Sequence, residues 1–509
     1  MISIISFCVI ALCTVQIFGA TSAQWRQRSI YQVLTDRYAR TDNDHSAKCN
    51  TTERSYCGGT YRGLINNLDY IKDMGFTAVW ISPITHNPEE RLFWGEPYHG
   101  YWQDDLYRLN NRFGSEGDLK DLSAELHRRG MYLMVDIVVN HFVTSERANA
   151  TNFSKIHPFN DKSFFHPYCE ITDYDNQDMI ERCWVGDANV PLVDVNTEDP
   201  RVISTFNEWI PSLVSNYSID GLRIDTAKHV QKSFWPAFTK AAGVFASGEV
   251  LSNNFEYTCD YQNYLDSVIN YPIYYPLINA FSATNGSISA LVKMHQNLQT
   301  GCKDATLLLT MGGNHDTPRI AATIPSLQLR KNALAYTLLS DGIPVLYQGD
   351  EQSFAGPTSD PDNREALWTS GFDKSAPLYQ MIRKLNKVRS WVGRDDTNYW
   401  IPKTTIFWSD PHAMAFRRGS GESQMVAILT NNGGNSTMRQ VEVERSGFAA
   451  GTILMDIIAC EKVTVGKDGV LRVAMGDGNP KVLFPVDHLG CGSAESNTGN
   501  RSTQAAKKE

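Results

Sequence analysis

The stretch Tyr132-Leu-Met-Val-Asp-Ile-Val-Val-Asn-His141 is a nearly continuous apolar run that closes on polar residues. A run of this kind, rich in β-branched residues, reads as a strand buried on both faces, as in a parallel sheet covered by helices. Its counterparts recur: Phe76-Thr-Ala-Val-Trp-Ile-Ser82, Gly221-Leu-Arg-Ile-Asp225, Val244-Phe-Ala-Ser-Gly-Glu-Val250, Thr306-Leu-Leu-Leu-Thr310 and Ile343-Pro-Val-Leu-Tyr347. Helical patterns lie between them. Glu116 to Arg129 sets Leu119, Leu122 and Leu126 at helical spacing, with Gly130 as the stop. This alternation predicts an α/β fold, a (β/α)8 TIM barrel over 24–141 and 197–400, with an unclosed α/β sheet as the alternative.

Two segments break the rhythm. Residues 142–196 show no helical period but many aromatics and Asn/Asp turns, and read as a small domain inserted after the third strand. From 401 to 492 the pattern becomes alternating strands with Gly/Asn turns, as in Gln424-Met-Val-Ala-Ile-Leu-Thr430 followed by Asn431-Asn-Gly-Gly434. That predicts a C-terminal antiparallel β-sandwich. Residues 493–509 are Ser/Thr/Asn/Gly-rich and read as a flexible tail.

The 509 residues carry a net charge of −9, with 42% hydrophobic and 20% charged residues, the profile of an ordinary globular chain. Mild acidity, and no Lys/Arg run longer than Lys507-Lys508, speak against nucleic acid as a partner. Residues 2–20 are uncharged and end in Thr21-Ser22-Ala23, which reads as a cleaved secretory signal over 1–23, the rival being a retained anchor. No later run reaches membrane length, and a secreted, extracellular protein is expected, as is a monomer. Beyond the signal the cysteines fall as local pairs: Cys49 and Cys57, Cys169 and Cys183, Cys259 and Cys302, Cys460 and Cys491. In an oxidising compartment these read as loop-closing disulfides; buried thiols or a metal site are the alternatives. Sequons at Asn50, Asn149, Asn152, Asn216, Asn285, Asn435 and Asn500 permit glycosylation.

In a parallel barrel, chemistry sits at the carboxyl ends of the strands. The third strand ends in Asp136, Asn140 and His141, the fourth in Arg223, Asp225, Lys228 and His229, the fifth in Glu249, and the seventh in Asn314, His315 and Asp316. Charges flanked by Ile, Val and Leu need partners or a task, because burying them is costly. Asp225 and Glu249 are separated by one helix and its loops, which places both carboxyls at neighbouring strand mouths. Such a pair suits a retaining glycosidase, one group as nucleophile and the other as acid/base. Arg223 shares a face with Asp225 at period two and can keep it ionised. Trp94, Tyr98, Tyr101 and Trp102 crowd the loop after the second strand, and flat rings suit sugar faces.

Asp136-Ile-Val-Val-Asn-His141, Gly221-Leu-Arg-Ile-Asp-Thr-Ala-Lys-His229, Gly248-Glu-Val250 and Asn314-His-Asp316 resemble, in order and spacing, four signature regions of the α-amylase family of glycoside hydrolases. Tyr98-His-Gly-Tyr-Trp102, Cys57-Gly-Gly-Thr60 and Ser215-Asn-Tyr-Ser-Ile-Asp-Gly-Leu-Arg-Ile-Asp225 are similar, more narrowly, to secreted fungal members. The resemblance runs from about Trp25 to Cys491. It implies hydrolysis of starch, glycogen and maltooligosaccharides, with Asp225 as nucleophile, Glu249 as acid/base and Asp316 holding sugar hydroxyls in the transition state. It further implies that His141, His315 and Arg223 line that subsite with Tyr101 stacked on the ring. His99, Trp102, Lys228, His229, Asp360 and Arg364 would add neighbouring subsite contacts. A structural Ca2+ is implied at Asn140, Glu181, Asp194 and the His229 carbonyl, an all-oxygen set suited to a hard cation. The sequence departs from the fungal pattern at Gly312-Gly313, where an acidic residue usually precedes Asn-His-Asp, at Thr317, at Tyr347-Gln-Gly-Asp-Glu351 and in the loop Asn87–Glu96. A 4-α-glucanotransferase or α-glucosidase would share the same covalent intermediate. A non-catalytic sugar-binding protein is the third possibility, against which the three intact acids stand.

Overall fold

The computed structural model describes residues 19–395, 399–420, 423–434 and 440–485. Most of the expected signal, the expected tail and Cys491 lie outside the described residues.

Eight parallel strands form the central sheet: β1 (Ile30–Val33), β2 (Ala78–Ile81), β3 (Tyr132–Ile137), β4 (Gly221–Ile224), β5 (Phe245–Gly248), β6 (Ser267–Val268), β7 (Leu309–Met311) and β8 (Ile343–Tyr347). Their order is β6-β5-β4-β3-β2-β1-β8-β7. A parallel bridge between Ile269 and Leu309 joins the two edges, and the Asn270 amide donates to the Leu309 carbonyl at 2.9 Å. The sheet is therefore a closed barrel, and the open-sheet alternative falls. Two strands, β1 and β6, had no counterpart in the pattern reading. The strand expected over 306–310 begins only at Leu309, because Ala305–Leu307 forms a 3-10 turn capped by Asp304, whose carboxylate accepts from the Thr306 amide at 2.9 Å.

Period two sorts the barrel residues into an inside and an outside. Ile30, Ala78, Trp80, Met134, Phe245, Leu309, Ile343 and Val345 form the interior cluster. Their neighbours Tyr31, Val79, Leu133, Leu222, Ala246 and Leu346 join the outer core against the helices. Trp25, on the helix Ser22–Arg26, belongs to the interior cluster and is fully buried. It stacks on Phe245 at 5.3 Å and donates its indole N–H to the Asp220 carbonyl at 3.0 Å. A Cβ at Gly221 would meet the Trp25 ring at 2.7 Å, so glycine opens the space for this plug at the amino-terminal end of β4. The expected signal boundary after Ala23 falls inside that helix.

Between β3 and β4 the chain forms a three-stranded antiparallel sheet (His141–Val143, Pro191–Asp194, Val185–Gly186) and the helix Gln177–Arg182. Disulfides join Cys49 to Cys57, Cys169 to Cys183 and Cys259 to Cys302; Cys460 is also disulfide-bonded. At the C-terminus β9 (Thr405–Ser409), β10 (Ala413–Arg418), β11 (Met425–Thr430), β12 (Gln440–Val443), β13 (Ile453–Asp456), β14 (Glu461–Thr464), β15 (Leu471–Ala474) and β16 (Lys481–Pro485) make two antiparallel sheets, β9-β10-β11-β16-β13-β14 and β12-β15. Ala415, Val426, Ile428 and Leu483 pack against Val441, Val443, Leu471 and Val473 of the smaller sheet. Met414, Phe416, Leu429 and Phe484, one residue out of phase, face the other way and join the barrel's outer core. The central strands β10, β11 and β16 of the larger sheet are thus buried on both faces. Among the described residues no helix is long and apolar enough to cross a membrane.

Trp25→Ala leaves a cavity at the barrel floor. The expected loss is about 3–5 kcal/mol, read by denaturant unfolding, and a loss below about 1 kcal/mol would mean that Trp25 does not seal the barrel.

Candidate active site

The parallel register sets Asp136 of β3 directly opposite Arg223 of β4, and Arg223 opposite Ser247 of β5. All three point inward, above the apolar interior. Arg223 has no solvent exposure. Its Nη1 donates to Asp136 at 3.0 and 3.2 Å and to Asp225 Oδ1 at 2.7 Å, while Nη2 lies 3.0 Å from Glu249 Oε2. Asp136 also accepts from Trp80 Nε1 at 3.1 Å and from the Tyr101 hydroxyl at 2.7 Å. Two carboxyls facing adjacent nitrogens of one planar guanidinium are held within its width plus two contacts.

The backbone turns sharply after β4. Thr226 sits at φ 46°, ψ 37°, a left-handed conformation unfavourable for a β-branched residue. There its amide donates to Glu249 Oε2 at 3.0 Å and its hydroxyl to Asp225 Oδ2 at 3.0 Å. Glu249 Oε1 accepts from the Tyr271 hydroxyl at 3.1 Å, which in turn accepts from Asn314 Nδ2 at 2.9 Å. Burial, opposed by Arg223 and reinforced by Glu249 and Asp136, raises Asp225 well above the usual carboxylate range. Against burial, Arg223 and the Thr226 amide hold Glu249 below it. The two titrate through one shared guanidinium, so a proton belongs to the pair rather than to either group.

Asp316 follows β7. Asn363, fully buried, donates Nδ2 to the carbonyls of His315 and Thr317, both at 2.8 Å, and so fixes this loop. Arg364 Nη2 lies 3.4 Å from Asp316 Oδ1, and Nη1 lies 3.1 Å from Asp360 Oδ1. Burial and the charge of Glu249 push Asp316 up to about 6, opposed by Arg364 and Arg223. Gln32 Nε2 donates to His315 Nδ1 at 2.7 Å, which leaves the proton on Nε2, 3.2 Å from Asp316 Oδ2. Burial keeps His315 neutral.

The rings make the wall. Tyr101 stacks on His315 at 5.2 Å and 7°. His99 Nδ1 accepts the Tyr101 amide at 3.0 Å, and Trp102 meets the His99 ring edge-on at 4.7 Å. His141 Nε2 donates to the Tyr101 carbonyl at 3.1 Å. Lys228 Nζ donates to the Leu251 carbonyl at 3.1 Å. Asp225, Glu249, Asp316, His99, Tyr101, Trp102, His141, Lys228, His229, His315, Asp360 and Arg364 all line one open cleft of about 1290 Å³. Arg223 lies beneath its floor. The strand-end reading also named Asp136 but gave it no role. Trp80, Tyr271, Asn314 and Asn363 hold the site together and had no assigned role; Asn314 was named as a strand end, Asn363 stands beside Arg364 in the sequence, and Tyr271 carried no signal.

Comparison with known proteins identifies the relatives. Residues 32–395 match the model of the alpha amylase catalytic domain, and residues 406–499 that of alpha-amylase domain C. The chain belongs to the alpha-amylase family. It is 45% identical to alpha-amylase 2 of Schwanniomyces occidentalis, over 92% of each chain. It is 45% identical to the alpha-amylase of Saccharomycopsis fibuligera, over 91% of this chain and 92% of that one. A solved alpha-amylase from Malbranchea cinnamomea superposes with a TM-score of 0.90 at 49% identity, over 93% of this chain and 99% of that one. The fold alone is shared with a cyclomaltodextrin glucanotransferase, at 23% identity and a TM-score of 0.77 over 89% of this chain and 98% of that one.

Alpha-amylase family members generally bind calcium. Asn140, Asp194 and the His229 carbonyl come together, with one end of the Asn140 amide 3.1 Å from Asp194 Oδ1 and 3.0 Å from the His229 carbonyl. One oxygen of the Glu181 carboxylate accepts from Gln177 Nε2 at 2.7 Å. His141 orients the amide. Because its Nε2 donates to the Tyr101 carbonyl, neutral Nδ1 is an acceptor, and Asn140 Nδ2 faces it at 3.4 Å. Burial pushes His141 down to about 4, so it stays neutral. The amide oxygen is then turned towards two further oxygens, an arrangement that fits a hard cation. Asp194 is fully buried, and burial pushes it up to about 7 against the opposing His166, whose Nδ1 is 2.6 Å away.

At the Gly312-Gly313 departure the loop is not loose. Thr317 Oγ1 accepts the Asn314 amide at 2.9 Å, and a Cβ on Gly313 would meet that oxygen at 3.3 Å. The Thr317 hydroxyl closes the turn in the space the glycine leaves.

Arg364→Met removes a cation that lowers Asp316. The Asp316 carboxyl then ionises at higher pH, so the acid limb of the kcat/KM profile is expected to move up by about one unit. A limb that stays in place, or moves down, would show that Asp316 does not govern it.

Proposed function

We propose that the chain is a secreted, monomeric, endo-acting alpha-amylase that hydrolyses internal α-1,4-glucosidic bonds of starch, glycogen and maltooligosaccharides with retention of configuration. The observation that carries the reading is the pair Asp225 and Glu249 held on adjacent nitrogens of Arg223 inside an open cleft. In the first step Glu249 gives its proton to the glycosidic oxygen as Asp225 attacks the anomeric carbon. The leaving chain departs with its new hydroxyl, and a glucosyl ester on Asp225 remains. In the second step Glu249 takes a proton from water, whose oxygen attacks the same carbon and releases Asp225. Asp316 accepts hydrogen bonds from ring hydroxyls, His315 donates from Nε2, and Tyr101 supplies the flat face. Arg223 keeps Asp225 ready for ionisation once the pair's proton resides on Glu249. The exposed sequons Asn50, Asn149, Asn152, Asn216 and Asn285 are available for glycans.

Asn140, Asp194 and the His229 carbonyl would hold the calcium, which supplies charge to a buried carboxylate and ties the end of β3 to the inserted segment and the loop after β4. Glu181 would join them through an oxygen that Gln177 does not engage.

Two experiments bear on the reading. Asp225→Asn should lower kcat on soluble starch by at least about a thousandfold with the fold intact, because the step loses its nucleophile. The wild-type products should appear first as α-anomers in NMR. Unchanged turnover in the variant would remove Asp225 from its role, and products longer than the input without net reducing ends would point to transfer. Chelation should lower the melting temperature, with readdition of Ca2+ restoring about 4 kcal/mol at free ion a thousandfold above Kd. A melting curve indifferent to both treatments would dismiss the calcium site.

A further inference from the structure

A second cavity of about 400 Å³ opens beside the cleft, lined by Arg54, Trp94, Trp102, Asp187, Val190 and Leu192 among others. Trp102 and Leu192 line both cavities, so the two adjoin. Trp94 is 44% exposed, large for an indole, yet its orientation is fixed. Its Nε1 donates to Asp187 Oδ2 at 3.0 Å, bridging the loop Asn87–Glu96 to the inserted segment. The Arg54 guanidinium lies 5.9 Å from the centre of the same ring, and its Nη2 lies 3.4 Å from Asp360 Oδ2 on the cleft wall.

The support beneath this ring is rigid. The Cys49–Cys57 disulfide closes the loop that carries Arg54. The Glu96 amide donates to the Arg54 carbonyl at 2.8 Å, and the Tyr56 amide donates to Glu96 Oε2 at 2.8 Å. Gly95 holds φ 131°, and a Cβ there would meet Arg54 at 2.6 Å. A preorganised, solvent-facing indole flanked by a guanidinium and a carboxylate matches a hexose: an apolar face for the ring, and donors and acceptors for its hydroxyls.

Resting on the function proposed above, we infer that this cavity is a distal subsite for the donor part of an α-1,4-glucan. The leaving chain departs past Glu249 and the Leu251–Asn254 loop that follows it, whereas the retained chain runs past Asp316, Arg364 and Asp360. Asp360 hands that chain on, through Arg54 and Trp102, to the Trp94 platform. Only a chain several glucose units long reaches it, so its binding energy reports chain length and sets where long substrates are cut.

The test is the ratio of kcat/KM on maltoheptaose to that on maltotriose. Trp94→Ala is expected to lower this ratio about three- to tenfold and to shift the cleavage positions within maltoheptaose. Trp94→Phe, which keeps a flat ring but loses the bond to Asp187, should fall between, and melting curves verify that both variants fold. In the Glu249→Gln background, Trp94→Ala should weaken maltoheptaose binding in calorimetry by a similar factor. A ratio, cleavage pattern and affinity unmoved in both variants would overturn the subsite while leaving the enzyme reading in place. A wild-type chain that cleaves neither oligosaccharide would instead overturn the enzyme reading.

Discussion

One guanidinium with no access to water organises the mouth of the barrel. Arg223 touches Asp136, Asp225 and Glu249 from a fully buried position. Taking those charges out of water costs several kcal/mol per ion, and their mutual contacts must offset it. The strand register makes this possible, because β3 and β4 align Asp136 with Arg223 at a period-two position facing inward. Asp136 completes the charge around Arg223, accepts the Tyr101 hydroxyl and orients Trp80. The catalytic geometry and the integrity of the upper barrel are therefore one structure.

A second constraint is the placement of protons on the histidines. Gln32 donates to His315, the Tyr101 amide donates to His99, and His141 donates to the Tyr101 carbonyl. Burial keeps all three rings neutral, His99 being pushed down to about 3. Each bond selects one tautomer, so donors and acceptors along the cleft are set before a sugar arrives. Through Asn140 the same rule reaches Asp194: the tautomer of His141 decides which end of that amide faces its carboxylate.

Much of this was legible in the linear chain, for physical reasons. Asp225, Glu249 and Asp316 each close a buried apolar strand, and charges there stand out from surface carboxylates. The barrel was legible in six of its strands but not in β1, nor in β6, where two residues carry no periodicity. Tyr271 and Asn363 were also silent. One opens a helix and the other lies in a loop, and each acts through hydrogen bonds to segments more than twenty residues away.

The double burial of the central strands of the six-stranded C-terminal sheet has a consequence for the chain's history. Its inner face, with Met414, Phe416, Leu429 and Phe484, is continuous with the core around the barrel helices. Asn332 reaches across to the Gly478 carbonyl at 2.9 Å, and Arg418 to Asp341 at 3.1 Å. A barrel that shed this module would present a water-shy wall with unpaired polar anchors, so the module is not cargo that lineages could drop or swap at will. New modules would be grafted beyond it, at the chain's ends, and not in its place.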